Sequence, residues 1–355
     1  MPLQVEDFVD ITNTTLRDLG RGRITDIASD LQEHVAMSRF YDSKNKRIEF
    51  DNGTQIQFDA LTSGDNNFRW VGLYAPRNLN QLDSTIQGNV PWRHALTGMT
   101  WDVFQKMVNK SPSKIVDFLK TKKYQCLVTI ADELEAAFWG EPSSSTDTVT
   151  PFGIKYWITY SASTGFNGGN NSNFSSGPAS ISRTTYPRWS NYTANYAAGE
   201  ENQTGVFRDM RAAMWNCNFK PAVKNRPIPG FGSGGKYSIC TTYATESLLV
   251  EEVEGRNENL GAAIDPYDGR VVIRRTPVEA VPYLEQNEGT ADPIVGIDWS
   301  VFKLMAFKGQ WLSEEPAKPA PNQPTVINVD IISRCNFVCY EPRRLWLIAK
   351  SDWSA

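Results

Sequence analysis

The spacing of apolar positions divides the chain into stretches of different period. Ile24, Ile27, Ala28, Leu31 and Val35 recur at helical spacing, and Thr25 stands where a side-chain hydroxyl can cap the first turn. This predicts a short amphipathic helix whose apolar stripe needs a partner. From Ile48 the period falls to two. Ile48 and Phe50 alternate with polar residues, Asn52-Gly53 intervenes, and Ile56 and Phe58 alternate again. Asn-Gly between two alternating runs predicts a β-hairpin, because both central residues of its turn take positive φ. A third strand is expected at Phe68 to Tyr74. These strands have few apolar partners in their own stretch, so the pattern predicts a hairpin that protrudes from the body.

Helical spacing returns from Pro112 to Trp139. Ser111 is a good N-cap and Pro112 suits the first helical position. Ile115, Phe118, Leu119, Leu127, Ile130, Ala131, Leu134, Ala137 and Phe138 keep one stripe, and Gly140 with Pro142 ends it. At ~1.5 Å per residue such a helix spans roughly 42 Å, a structural spine. Beyond it, Lys155 to Tyr160 reads as a strand and Gly165 to Gly177 as a long surface loop. Gly205 to Cys217 and Tyr243 to Glu254 read as helices. Strands are expected at Val271–Ile273, Val278–Val281, Val301–Phe307, Val326–Ile332 and Leu345–Ile348. The Pro-rich run from Glu314 to Pro324 cannot be a central strand. Strands and helices mix without strict alternation, which makes the class α+β.

Composition narrows the function classes. At 355 residues, 40% hydrophobic and 21% charged, the chain suits two ordinary-sized units of globular protein. Mean hydropathy is −0.42 and no apolar window is long enough to span a membrane. The first residues lack the pattern of a secretory signal, so the five cysteines (Cys126, Cys217, Cys240, Cys335, Cys339) read as free buried thiols. A net charge of −4 argues against a phosphate-gripping surface. Any contact with DNA is expected to be non-specific. For any single one of the 11 Trp residues, core is the first expectation ahead of interface.

No motif carries chemistry. The two histidines, His34 on the N-terminal helix and His94 in a loop after Pro91-Trp92-Arg93, have no nucleophile elbow to serve. Cys335 and Cys339 form a lone pair, short of the four ligands of a structural zinc site, and pack inward if they share a strand face. Gly230, Gly232 and Gly235 follow Pro-Ile-Pro rather than a strand, so their dinucleotide-like spacing reads as a loop. The carboxylates at Asp132, Glu133 and Glu135, and at Glu251, Glu252 and Glu254, read as solvated helix faces. No catalytic residue, cofactor or metal site is expected.

Several stretches, taken in order, carry a family resemblance. They are Glu133-Leu134-Glu135-Ala136-Ala137-Phe138-Trp139-Gly140, Thr150 to Trp157, Gly165 to Asn170, Tyr186-Pro187-Arg188-Trp189, Asn257 to Gly261 with Gly269 to Val278, Gly296 to Trp299, and Arg343 to Trp346. With the order arm, hairpin, spine helix and mixed body, the chain resembles major capsid proteins of tailed double-stranded DNA phages, of the Hong Kong 97-type fold. The resemblance implies an N-terminal arm at 1–40 and an extended hairpin loop at 41–100. It implies a peripheral domain at 101–190 carrying the spine helix 112–139. Residues 191–355 would be mostly axial domain, with some strands returning to the peripheral one.

The same resemblance implies a non-enzymatic subunit that self-assembles into an icosahedral head around phage DNA, made in the host cytoplasm and found in the virion. Its partners would be copies of itself in hexamers and pentamers, together with portal, scaffolding or decoration proteins. The lack of a long helical leader implies that any scaffold is a separate protein. Lys44 and Lys46 lie near the hairpin, but no motif assigns them a cross-link. The assembly interface is expected at Ile27, Leu31, Val35, Asn52, Gly53, Ile56, Phe58 and Trp70. The alternative class is a carbohydrate-binding surface module, suggested by the Trp, Tyr, Asn and Ser content.

Overall fold

The computed structural model describes residues 34–41, 47–51, 53–62, 70–71, 85–102, 104, 112–197, 204–217, 237–256, 271–274, 276–321 and 323–353. Expectations placed on Ile24, Ile27, Leu31, Asn52 and most of Phe68 to Tyr74 lie outside them.

Two six-stranded sheets and a separate two-stranded ribbon carry the architecture. The first sheet is organised by one strand. β13 (Gln323–Cys339) runs 17 residues, long enough to serve different partners along its length. Its start pairs with β12 (Lys318–Ala320), and its middle with β4 (Arg93–Asp102) and β11 (Ser313–Glu314). Its end pairs with β10 (Phe302–Phe307), whose other edge takes β1 (Arg47–Phe50) in parallel. The Pro-rich run thus supplies short strands that pair with β13 alone. The second sheet has the order β5 (Tyr192–Asn195), β14 (Trp346–Ala349), β9 (Ile294–Asp298), β6 (Tyr237–Thr241), β8 (Thr276–Ala280), β7 (Val272–Ile273). β6, β9 and β14 are buried along their whole length; β14 is an unbroken apolar run, while β6 and β9 also bury Ser238, Thr241 and Asp298.

Helix α1 spans Val35–Tyr41, and the spine helix α2 spans Pro112–Trp139, 28 residues, as its spacing predicts. Among its described side chains, Cys126, Leu134, Phe138 and Trp139 are buried, whereas Leu127 is exposed. The stripe continues past Leu127, which looks onto solvent. The remaining helices are α3 (Ile154–Trp157), α4 (Thr204–Asn216), α5 (Tyr243–Arg256) and α6 (Pro282–Glu288). The strand expected at Lys155 to Tyr160 is instead the single turn α3 followed by extended backbone. Phe152 and Tyr156 stack at 4.1 Å, and that contact needs the helical turn.

The stretch from Gly165 to Gly177 is a loop whose Asn167, Ser172, Ser175 and Ser176 are exposed, while part of it and the residues after it turn inward. Asn171, Phe174, Ala179, Ile181 and Arg183 are buried. Its Asn-rich composition supplies hydrogen bonds to backbone that no ladder satisfies. Asn170 Oδ1 accepts from the Arg183 N–H at 2.9 Å, and Asn191 Nδ2 donates to the Thr159 carbonyl at 2.9 Å. The Arg183 guanidinium donates to the Trp157 and Gly169 carbonyls and to Thr159 Oγ1 at 2.6–2.7 Å. Burial pushes its pKa down to about 10.

The core is built on aromatics. Phe138 meets Phe40, Trp139, Trp299, Phe302 and Phe337 with ring centroids 4.9–5.7 Å apart. Trp139, Trp157, Trp299, Trp346 and Trp353 are buried, while Trp70 and Trp215 are exposed.

Candidate assembly surface

The Asn52-Gly53 signal marks a change of partner rather than a hairpin turn. β1 leaves for β10, and β2 (Gln55–Leu61) pairs with β3 (Thr85–Pro91) instead. Gly53 does take positive φ, at +111°, and its carbonyl accepts the Trp92 indole N–H at 3.1 Å. The expected β1–β2 hairpin is thus replaced by a β2–β3 ribbon, with residues 62–84 between its strands. The reason lies in β1. Ile48 and Phe50 cover the open edge of the buried strand β10, which gives their alternating face a core to join.

The ribbon is rooted at one end and exposed at the other. Ile56 and Val90 face each other across it and are 2% and 0% exposed. Next to them, Phe58 lies against Gly88, where an added Cβ would come within 2.5 Å of the ring. Phe58 also stacks on Trp189 at 6.1 Å and meets Tyr340 edge-on at 5.4 Å. The opposite face reads Gln55, Gln57, Asp59, then Leu61, which is 75% exposed. Beyond it, Trp70 and Val71 are 92% and 60% exposed.

Helix α1 is held by its own chain. Val35, Ala36, Met37 and Phe40 are buried, and Phe40 meets Phe138, Trp299 and Phe337 at 5.5–5.6 Å. Two of the expected interface residues therefore need correction. Val35 and Ile56 belong to the core of this chain and offer no free surface to a neighbour. Gly53 and Trp70 are exposed, and Phe58 is half-buried against Trp189 and Tyr340. The structure leaves Ile27, Leu31 and Asn52 outside its described residues.

Glu135, read from sequence as part of a solvated carboxylate face, is also placed otherwise. It is 6% exposed. It accepts the Ala36 N–H at 3.1 and 3.2 Å, the Met37 N–H at 2.9 Å and the Trp139 indole N–H at 2.8 Å. The available signal was Trp139, one helical turn further on, whose N–H needs a partner once buried. Next to it, His34 Nε2 lies 3.0 Å from Asp132 Oδ1.

A groove of about 280 Å³ runs between α2 and β4, lined by Arg93, Leu96, Ile130, Val149 and Cys335 among others. Leu96 and Val149 are 70% and 73% exposed. Arg93 donates to the Asp147 carbonyl at 2.7 Å and lies over the Phe152 ring.

The chemical candidates do not converge. His94 sits on β4, not in a loop, opposite Arg334, whereas Cys335 lies opposite Arg93. Neighbouring ladder positions face opposite sides of a sheet, so this imidazole and thiol point apart. All five cysteines are buried and none is in a disulfide. Burial pushes the Cys335 thiol up to about 11 and raises Cys217 and Cys339 as well, which disfavours the thiolate. Among the described residues, no cluster of three or more His, Cys, Asp or Glu side chains is arranged to hold a metal ion, and no helix is long and apolar enough to cross a membrane.

No family model and no curated protein matches the sequence. Solved structures do resemble it. The cyanophage A-1(L) capsid chain aligns with a TM-score of 0.59 and 13% identity, covering 95% of this chain and 98% of that one. The capsid of the native GTA particle gives 0.58 and 12%, covering 93% and 95%. The SrpI encapsulin of Synechococcus elongatus PCC 7942 gives 0.50 and 8%, covering 100% and 98%. The overlay spans nearly the whole of each chain, so this chain has the α+β fold of phage capsid proteins, the Hong Kong 97-type architecture that its sequence motifs resemble.

Proposed function

We propose that this chain is the structural subunit of an icosahedral phage head, which self-assembles around double-stranded DNA and has no enzymatic role. One observation carries the reading: almost the entire chain overlays a phage capsid subunit. The rooted ribbon, with Leu61 exposed on it, supports a subunit that reaches a neighbour. In this reading the ribbon is the extended loop. The β13-centred sheet with α2 forms the peripheral domain, and the sheet from β5 to β14 the axial one. The strands β10 to β13 are the ones that return to the periphery. The partners are copies of the same chain in hexamers and pentamers, together with portal, scaffolding or decoration proteins. DNA is contacted non-specifically, and the protein resides in the virion after synthesis in the host cytoplasm.

The encapsulin likeness favours a second reading, a protein-filled compartment built on the same fold. None of the comparisons favours a carbohydrate-binding module. Electron microscopy of the expressed protein, with nucleic acid and protein assays of any particles, separates these readings. The phage reading expects closed shells, DNA-filled when taken from virions. Shells holding only a protein cargo favour the compartment, and a chain that stays monomeric under all assembly conditions contradicts both.

A further inference from the structure

Helix α4 has two unlike faces. Val206, Met210, Ala213 and Met214 close one side of it against the second sheet and are buried. On the opposite side Arg208, Arg211 and Trp215 follow one another at spacings of three and four, so they share a face, and all three are exposed. Arg274 joins this strip from another part of the chain. Its guanidinium lies over the Trp215 ring, 5.6 Å from the centroid, a cation–π contact that holds the charge in place. The turn that carries it, between β7 and β8, has only two residues, Arg274 and Arg275. Arg274 takes φ +49°, in the left-handed region where Asn or Gly is the usual choice. What an arginine adds at that position is its charge and its contact with Trp215. Helix α4 contains one carboxylate, Asp209, on the flank of the strip. Arg208 Nε meets it at 3.7 Å with its own side chain 81% exposed, so the pair is loose. In a chain of net charge −4 the strip is thus a local concentration of positive charge.

We propose that Arg208, Arg211 and Arg274, the last held by Trp215, form a contact surface for the phosphate backbone of double-stranded DNA. This deepens the shell reading, and rests on it for the source of the DNA. Charge complementarity favours this occupant. Arg208 and Trp215 are seven residues apart, which sets the guanidinium groups along roughly 10 Å of helix axis. Over that length a duplex presents about six phosphate charges, one per ~1.7 Å. A linear row of cations fits a linear polyanion. Contacts to phosphate carry no sequence information, which agrees with a non-specific contact to DNA.

Fluorescence anisotropy of a short labelled duplex, titrated with the purified subunit at several salt concentrations, tests this. Three phosphate contacts should contribute about 2.7 to the slope of log K against log salt, at ~0.9 each. The triple variant Arg208→Ala, Arg211→Ala, Arg274→Ala is expected to melt like the wild type and to lose about that much of the slope. The corresponding triple Lys variant keeps the charges and should keep the slope. Trp215→Ala should weaken binding by releasing Arg274. A wild-type subunit with no measurable affinity for the duplex at low salt overturns the proposal. So does a triple Ala variant with an unchanged slope; if that variant also fails to form shells, the strip is a surface between copies. Should the triple Ala variant not fold, the three single Ala variants decide, each expected to lower the slope by about 0.9. A single variant that cannot fold would show the strip to be structural and overturn the proposal. If the wild-type chain forms no shells but the slope falls as expected, the strip stands and the shell reading fails.

Discussion

Helix α1 and the β2–β3 ribbon look alike in sequence: each is a short segment whose apolar residues find no partner nearby. In the folded chain they differ. The described apolar side chains of α1 all turn into the core, and a buried carboxylate caps its first turn. The ribbon divides its apolar residues. Ile56, Val90 and Phe58 root it on the body, and Leu61 stands exposed on a face that is otherwise polar. An unpartnered stripe in the sequence shows that a partner exists, but not whether it belongs to the same chain. What separates the two segments is long-range packing. Phe40 meets Phe138, Trp299 and Phe337, which lie between about one hundred and about three hundred positions away.

Three substitutions sharpen this difference. The largest effect is expected from Phe40→Ala. Deleting a fully buried Phe side chain costs roughly 3–5 kcal/mol, against a total stability of about 5–15 kcal/mol for an ordinary domain. Denaturant unfolding of the free subunit should show that loss. A cost near zero would mean that α1 is not part of the folded core.

Gly88→Val comes next. Its side chain would collide with Phe58, whose ring is held by Trp189 and Tyr340. Overpacking of this kind costs about 1–3 kcal/mol. The loss should be concentrated at the ribbon base, seen as faster proteolysis between 55 and 91. Uniform destabilisation with an intact ribbon would contradict the rooting described here.

Leu61→Glu is expected to change the stability of the free subunit least. An exposed substitution is usually worth less than ~0.5 kcal/mol. Assembly should nonetheless suffer, because in a shell the new charge would be buried without a partner. Melting and particle yield measured on the same preparation check this. Normal yield would remove Leu61 from the interface.

The regular elements were legible where their pattern is local. The bounds of α2 follow from Pro112, a long stripe and Gly140, and β10 and β14 coincide with expected apolar strands, whereas the equally buried β9 was not expected. Partner choice was not legible. Asn52-Gly53 carries a correct signal for positive φ, yet β1 pairs with a strand some 250 residues later, a preference set by the open edge of β10. Glu135 shares its sequence surroundings with Asp132 and Glu133. Only the arrival of α1 removes it from water. The Asn-rich stretch after Gly165 has the composition of an exposed loop, and its polar side chains instead satisfy buried backbone.

A reconstruction of the assembled shell tests the central claim most directly, because it places every copy of both segments at once. The account predicts that α1 of each copy sits on the α2 of its own chain, and that a neighbouring copy covers Leu61 and Trp70. A shell in which α1 lies on another subunit's spine helix, or in which Leu61 and Trp70 face solvent, would contradict it.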